Sequence, residues 1–292
     1  MTVATIKHSL KQVYTLLFGS FVAEREKEAL RGKVMTLPIT SEYPFDVEAK
    51  LLRSIGIERS VMLDIGANTG FYSAILEDVV GSENLYLFEP LPHLHRSLKQ
   101  HFKKAHVFDF ALSDKEGIQN IRIPFIDGKR FDTRATFNRH VEPNQTGFDE
   151  IEVRFFPLDT IAKNSQLGPI GFIKIDVEGH ELEVLNGGTE TITRFKPLIL
   201  IEIESRHHKF PIEKIFSTLE ALGYKGYYID PEELELRHIA RFVSDRDQNE
   251  EDLKSLNYIK YLNNFFFVHE TLADDFIART AAFLKSEKLL VE

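Results

Sequence analysis

At 292 residues, with 43% hydrophobic and 28% charged side chains, the chain has material for one large domain, or one domain with additions, around a packed core. A formal net charge of −9 argues against a sequence-independent grip on nucleic-acid phosphates, so no nucleic-acid partner is expected. The absence of cysteine excludes disulfides and thiolate metal sites and agrees with a cytoplasmic setting, and no run reaches the ~18 apolar residues of a membrane span, so no stable membrane insertion is expected.

Residues 1–45 read as a helical N-terminal extension. Within it, Val13 to Ala23 imitates a signal peptide after Lys7 and Lys11, but it lacks a small-x-small cleavage site and runs into Glu24-Arg25-Glu26-Lys27-Glu28. An amphipathic helix is the better reading, and its Leu and Phe side chains suit docking on a second copy, a route to a homo-oligomer. Residues 46–292 read as one domain, opening with a helix to Ile55 that carries Val47, Leu51 and Leu52.

The stretch Val61-Met62-Leu63-Asp64-Ile65-Gly66-Ala67-Asn68-Thr69-Gly70-Phe71 then runs from an apolar strand through a Gly-x-x-x-Gly turn into a helix that ends at Gly81. Such a strand, loop and helix N-terminus form a nucleotide-type cofactor site in an open α/β sheet. A dinucleotide fingerprint needs a glycine where Asn68 stands, so the loop suits a ligand without a pyrophosphate. An acid, Asp64, beside a loop of this kind fits S-adenosylmethionine (SAM) better than NAD. About twenty residues on, Leu85-Tyr86-Leu87-Phe88-Glu89-Pro90 is a second strand with an acid at its tip, placed to take both ribose hydroxyls.

Pro92 opens a helix with Leu94, Leu98 and Phe102 on one face, and His106 to Leu112 reads as a third strand. The alternation then breaks over about 118–157. Ile118–Phe125 and Ile151–Phe156 read as an antiparallel pair around a polar loop with Lys129, Arg130, Arg134, Arg139 and His140. A loop of that length is usually functional or disordered. Phe172 to Asp176 is a fourth strand ending in an acid, followed by Val177-Glu178-Gly179-His180-Glu181 and a helix interrupted at Gly187-Gly188. Leu198–Ile203, Tyr224–Ile229 and Asn264–Val268 complete seven strands, with a helix at Ile212–Leu222, a charged surface stretch at Glu232–Lys254 and a closing helix at Leu272–Leu290. The class is α/β with a largely parallel sheet.

The blocks Asp64-Ile65-Gly66-Ala67-Asn68-Thr69-Gly70, Phe88-Glu89-Pro90, Ala111-Leu112-Ser113-Asp114, Lys174 to Glu181, Leu185-Asn186-Gly187-Gly188 and Pro197 to Glu202 stand in one order that resembles the FkbM family of SAM-dependent methyltransferases. The resemblance covers roughly residues 60–230. It implies a class I methyltransferase fold, a Rossmann-like three-layer sandwich on a seven-stranded, mostly parallel sheet. It also implies SAM as cofactor and methyl transfer to a hydroxyl, often on a sugar or a polyketide. Carried over by motif, Asp64, Gly66, Asn68 and Gly70, with Phe71 following, would line the amino-acid end of SAM. Glu89 and Pro90 would lie at the ribose, Phe110, Ala111 and Ser113 against adenine, and Asp176 opposite the transferring methyl.

Methyl transfer to a sugar hydroxyl needs alignment and a proton acceptor. His180 is the leading candidate base, just past strand four, with Glu178 placed to hold it or the acceptor. Glu202 at the end of strand five and His207 in the loop after it would line the acceptor pocket, and Arg134 and Arg139 would clamp a carboxylate or phosphate on the acceptor. Asp176, Glu178, His180, Glu202, Glu204, His207 and His208 also suit Mg²⁺ or Mn²⁺, although no spacing demands a metal. The expected function is therefore an O-methyltransferase acting on a sugar, nucleotide sugar or glycan-related molecule. A polyketide or other natural product is the alternative acceptor. A nicotinamide oxidoreductase is opposed by Asn68, and a non-catalytic binding subunit by the presence of Asp64, Gly66, Gly70 and Glu89.

Overall fold

The computed structural model describes residues 24–36, 47–57, 60–139, 141–254 and 261–291. Every residue of β1 (Val61–Ile65) is buried, as a strand covered on both faces requires. On one side it pairs in parallel with β2 (Leu85–Phe88), which pairs in parallel with β3 (His106–Phe108). On the other side it pairs in parallel with β8 (Ile170–Ile175), and β8 with β9 (Leu198–Glu202).

Beyond β9 the direction reverses. β12 (Asn264–His269) is antiparallel to β9 and to β10 (Tyr224–Asp230), and β11 (Glu235–His238) is antiparallel to β10. The sheet thus has eight strands, in the order β11-β10-β12-β9-β8-β1-β2-β3. This corrects the expected seven-stranded, mostly parallel sheet. The extra strand comes from the charged stretch after Asp230. There Asp230 Oδ1 accepts from the Glu232 and Glu233 N–H groups, and the turn sends Glu235–His238 back along the edge. An edge strand keeps charged side chains facing water, so its sequence lacks the apolar run of an inner one.

The region 118–157 forms a second, four-stranded sheet, β4-β7-β5-β6, from β4 (Ala111–Leu112), β5 (Gly117–Ile126), β6 (Lys129–Arg130) and β7 (Gln145–Phe156). The long β5–β7 antiparallel pair is the expected one. The single strand expected over His106 to Leu112 divides: β3 stays in the large sheet, and β4 crosses to pair with β7.

Helices cover both faces of the large sheet. On one face α1 (Glu24–Thr36), α2 (Val47–Ser54), α3 (Phe71–Val80) and the closing α11 (Ala273–Val291) bury Leu30, Leu51, Ile75 and Phe276 against Phe266. On the other, α5 (Leu158–Asn164), α6 (Glu181–Asn186), α7 (Thr189–Phe195) and α8 (Glu213–Glu220) bury Leu158, Leu185, Ile192 and Leu219 with Phe265 and Phe267. The three consecutive phenylalanines of β12 therefore serve both layers by strand alternation. α4 (Pro92–His101) follows β2, and the short α9 (Ser244–Asp247) and α10 (Glu250–Lys254) follow β11.

Helix α1 is clasped to α3. Lys27 Nζ, almost fully buried, lies 2.8 Å from Glu77 Oε2 and 2.7 Å from the His101 carbonyl oxygen, above the ring of Phe102. The rest of the N-terminal extension, with the signal-like Val13 to Ala23, lies outside the described residues. Among the described residues no helix is long and apolar enough to cross a membrane.

Candidate active site

The ends of β1, β2 and β8, with the second sheet folded over them, frame a narrow cleft that is open on one side. The loop after β1 forms its floor. Gly66 takes φ +80°, and its N–H and that of Ala67 both donate to the Phe88 carbonyl oxygen, at 3.0 and 3.1 Å, tying the loop to β2. Asn68, also left-handed at φ 50°, lines the cleft and turns its N–H to Glu89 Oε2 at 2.8 Å.

Glu89 stands at the tip of β2, buried, with its other oxygen accepting the Leu91 N–H at 2.8 Å. Burial raises its pKa to about 7 despite those two donors. Asp64 is placed differently. It is buried outside the cleft lining and accepts from the Ser73 hydroxyl at 2.6 Å, joining β1 to α3. Burial pushes it to about 6, with the Ser73 hydrogen bond opposing.

The opposite wall is the turn after β8, where Asp176, Val177, Glu178 and His180 line the cleft. Lys174 Nζ, buried beneath Asp176, lies 3.8 Å from its carboxylate. Burial raises Asp176, with Lys174 opposing, and burial raises Glu178 well above the usual carboxylate range, helped by Glu204, Asp176 and Glu202. His180 packs on Phe137 with ring centroids 4.8 Å apart. Its Nε2 lies 2.9 Å from Ser113 Oγ and its Nδ1 3.6 Å from Glu183, and burial lowers its pKa.

Of the residues named from sequence, Gly66, Asn68, Glu89, Pro90, Ala111, Asp176, Glu178 and His180 share this cleft. Gly70 and Phe71 start α3, and Ser113 stands behind His180. Phe110 packs among Phe88, Phe108 and Phe156 and is not part of the cleft lining. Glu202 accepts from Asn263 Nδ2 at 2.7 Å, and His207 Nδ1 lies 3.3 Å from Glu178. Arg134 is ion-paired with Glu142, Arg139 is exposed, and His140 lies outside the described residues. No Lys or Arg is among the described residues that line the cleft. Among the described residues no three His, Asp or Glu side chains are gathered as metal ligands would be.

Sequence reasoning missed Leu91 and the cleft wall supplied by the second sheet: Ile121, Ala135 and Phe137. The inward alternation of Ile121 and Ile123 on β5 was a signal. The bridge between Arg122 and Thr136, which folds the loop back over the site, left none. That loop is ordered through Thr136 Oγ1, which donates to the Glu178 carbonyl at 2.6 Å, and Asn138 Nδ2, which reaches the Gly179 and His207 carbonyls.

Residues 64–225 match the family described as the methyltransferase FkbM domain. The chain is 30% identical over 148 residues to the 2-O-methyltransferase NoeI of Sinorhizobium fredii, covering 46% of this chain and 59% of NoeI, so it spans less than two thirds of that relative. It is 24% identical over 205 residues to the hexuronic acid methyltransferase AglP of Haloferax volcanii, covering 69% and 76% of the two chains. A solved methyltransferase FkbM from Methylobacillus flagellatus is 17% identical with a TM-score of 0.45, covering 80% of this chain and 48% of that one. A SAM-dependent O-methyltransferase from Thermotoga maritima is 11% identical with a TM-score of 0.36, covering 82% and 69%.

Proposed function

Because the chain belongs to the FkbM methyltransferase family, we propose that it moves a methyl group from SAM to a hydroxyl of a sugar, nucleotide sugar or glycan-related molecule. The observation that carries this reading is Glu89, a buried carboxylate at a strand tip beside the loop in which Gly66, Asn68 and Gly70 are left-handed. Its two oxygens, each holding one backbone N–H, retain lone pairs for a ribose diol. SAM supplies an already activated methyl group, so the protein's task is to align the acceptor oxygen and remove its proton.

Gly66 and Asn68 would hold the amino-acid end, Glu89 the ribose and Ala111 with Leu112 the base, while Asp176 and Glu178 face the remaining space. Alignment alone can supply ~7–11 kcal/mol. An oxygen acceptor is supported by the relative named as a 2-O-methyltransferase, and a sugar acceptor by the relative named for hexuronic acid. The test is transfer of labelled methyl from SAM to a panel of free sugars, nucleotide sugars and glycans, beside equilibrium binding of SAM and NADH. Binding of SAM with methylation of a sugar hydroxyl is expected. NADH binding without SAM binding would overturn the reading.

A further inference from the structure

The cleft's proton acceptor can be narrowed from the partners of its side chains. Both ring nitrogens of His180 point at other protein groups, Ser113 and Glu183, and its ring packs on Phe137. Glu178 is arranged otherwise. It lines the cleft in a left-handed conformation, φ 51°, that side chains other than glycine seldom adopt. Such strain persists only where its surroundings enforce it. Here Thr136 Oγ1 donates to the Glu178 carbonyl, and Gly179, the next residue, is pressed against Asn138 and His207.

Behind Glu178 the side chains form a line into the protein. His207 Nδ1 stands 3.3 Å from Glu178 Oε2, and His207 Nε2 stands 3.7 Å from Glu142 Oε1. Glu142 is fixed in turn by Arg206 Nη1, at 2.7 and 2.8 Å from its two oxygens, and by Arg134. His207 and Glu142 are both buried. The imidazole thus sits between two carboxylates, one open to the cleft and one anchored by guanidinium groups.

Resting on the methyltransferase reading, we propose that Glu178 is the catalytic base for the acceptor hydroxyl and that His207, backed by Glu142, is its positioning residue. As the hydroxyl oxygen's lone pair forms the new C–O bond, the methyl–sulfur bond breaks and its electron pair stays on sulfur. The hydroxyl proton passes to Glu178 Oε, so the sulfonium and the carboxylate lose their charges together. Charge neutralisation of this kind suits a carboxylate that burial already biases toward the protonated form. The imidazole, its Nδ1 3.3 Å from Glu178 Oε2, packs against that carboxylate oxygen and keeps it in place while the second oxygen meets the substrate.

Two variants and two readouts test this. Glu178→Gln should lower kcat by ~10²-fold or more while SAM affinity by calorimetry is unchanged. His207→Gln should lower kcat by roughly tenfold, because Glu178 stays in the cleft but loses the group that orients it. Independently of activity, low-field proton NMR of the folded protein should show a His207 ring N–H resonance, identified by its loss in His207→Gln and displaced in Glu178→Gln. Folded Glu178→Gln with parental turnover, or with the His207 resonance unmoved, overturns the proposal. A parent protein that binds no SAM and methylates no hydroxyl would overturn the methyltransferase reading itself, a separate result.

Discussion

A Cβ placed on Gly66 would stand 1.8 Å from the carbonyl oxygen of Asp176. The loop after β1 and the end of β8 therefore meet backbone to backbone, also joined by the Asp176 N–H to the Ile65 carbonyl at 2.9 Å. This contact sets the two walls of the cleft against each other. Gly66 is needed for that approach, and its φ of +80° adds a second reason. Gly66→Ala should cost at least ~3 kcal/mol, adding overpacking to left-handed strain, in urea unfolding. SAM binding should fall in the same variant. An alanine protein with parental stability would show that the two walls are free to separate.

Glu89 has a task even without ligand, because its oxygens hold the Asn68 and Leu91 N–H groups. Glu89→Ala should weaken SAM binding by ~1.5–3 kcal/mol, the scale for a hydrogen bond to a charged acceptor. Glu89→Gln should not rescue it, since an amide nitrogen would face one of those two donors. Calorimetric titration of both folded variants decides; parental affinity in either would remove Glu89 from the ribose site.

Asp64 gives a pH-dependent signature of stability. Its pKa rises from 3.8 to about 6 because burial disfavours the charged form. Between those values the folded protein keeps a proton that the unfolded chain releases. Asp64's contribution is therefore fully present below about pH 4 and is lost as pH rises through about 6, by at most ~3 kcal/mol. Asp64→Asn cannot titrate. The stability of the parent relative to this variant should fall from pH 4 to pH 7, measured by denaturant unfolding. A difference independent of pH would show that Asp64 titrates normally.

The parts of the site legible in the sequence were those carried by one strand and the turn after it. Val61 to Gly70, Phe88 to Pro90 and Lys174 to His180 each announce a buried strand and its loop within a few residues, and the parallel sheet brings them together. What lay hidden depends on distant pairing. The bridge from Arg122 to Thr136 turns a polar loop into a cleft wall, and Glu142 reaches Arg206 across 64 residues. Arg134 read as an acceptor clamp because isolated guanidinium groups suit anions, but its partner Glu142 lies within the same loop. β11 was hidden for another reason: an edge strand of Glu, Leu, Arg and His has the composition of a surface loop.

His180 separates two accounts of the chemistry. With Ser113 and Glu183 at its nitrogens and Phe137 against its ring, it is placed to shape the cleft wall. Burial lowers its pKa, so it is neutral at pH 7 and adds no positive charge beside the acids of the cleft. His180→Gln should then raise the acceptor KM and lower kcat far less than the ~10²-fold expected of a lost base. SAM affinity should stay near that of the parent. Replacing His180 should also remove a stability term whose sign is set by that lowered pKa. Between the folded value and 6.5 the unfolded chain binds a proton that the fold refuses, so the parent loses stability as pH falls through 6.5 and the variant loses less. A ~10²-fold fall in kcat for His180→Gln, alongside parental turnover in Glu178→Gln, would move the base to the imidazole and leave Glu178 as part of the wall.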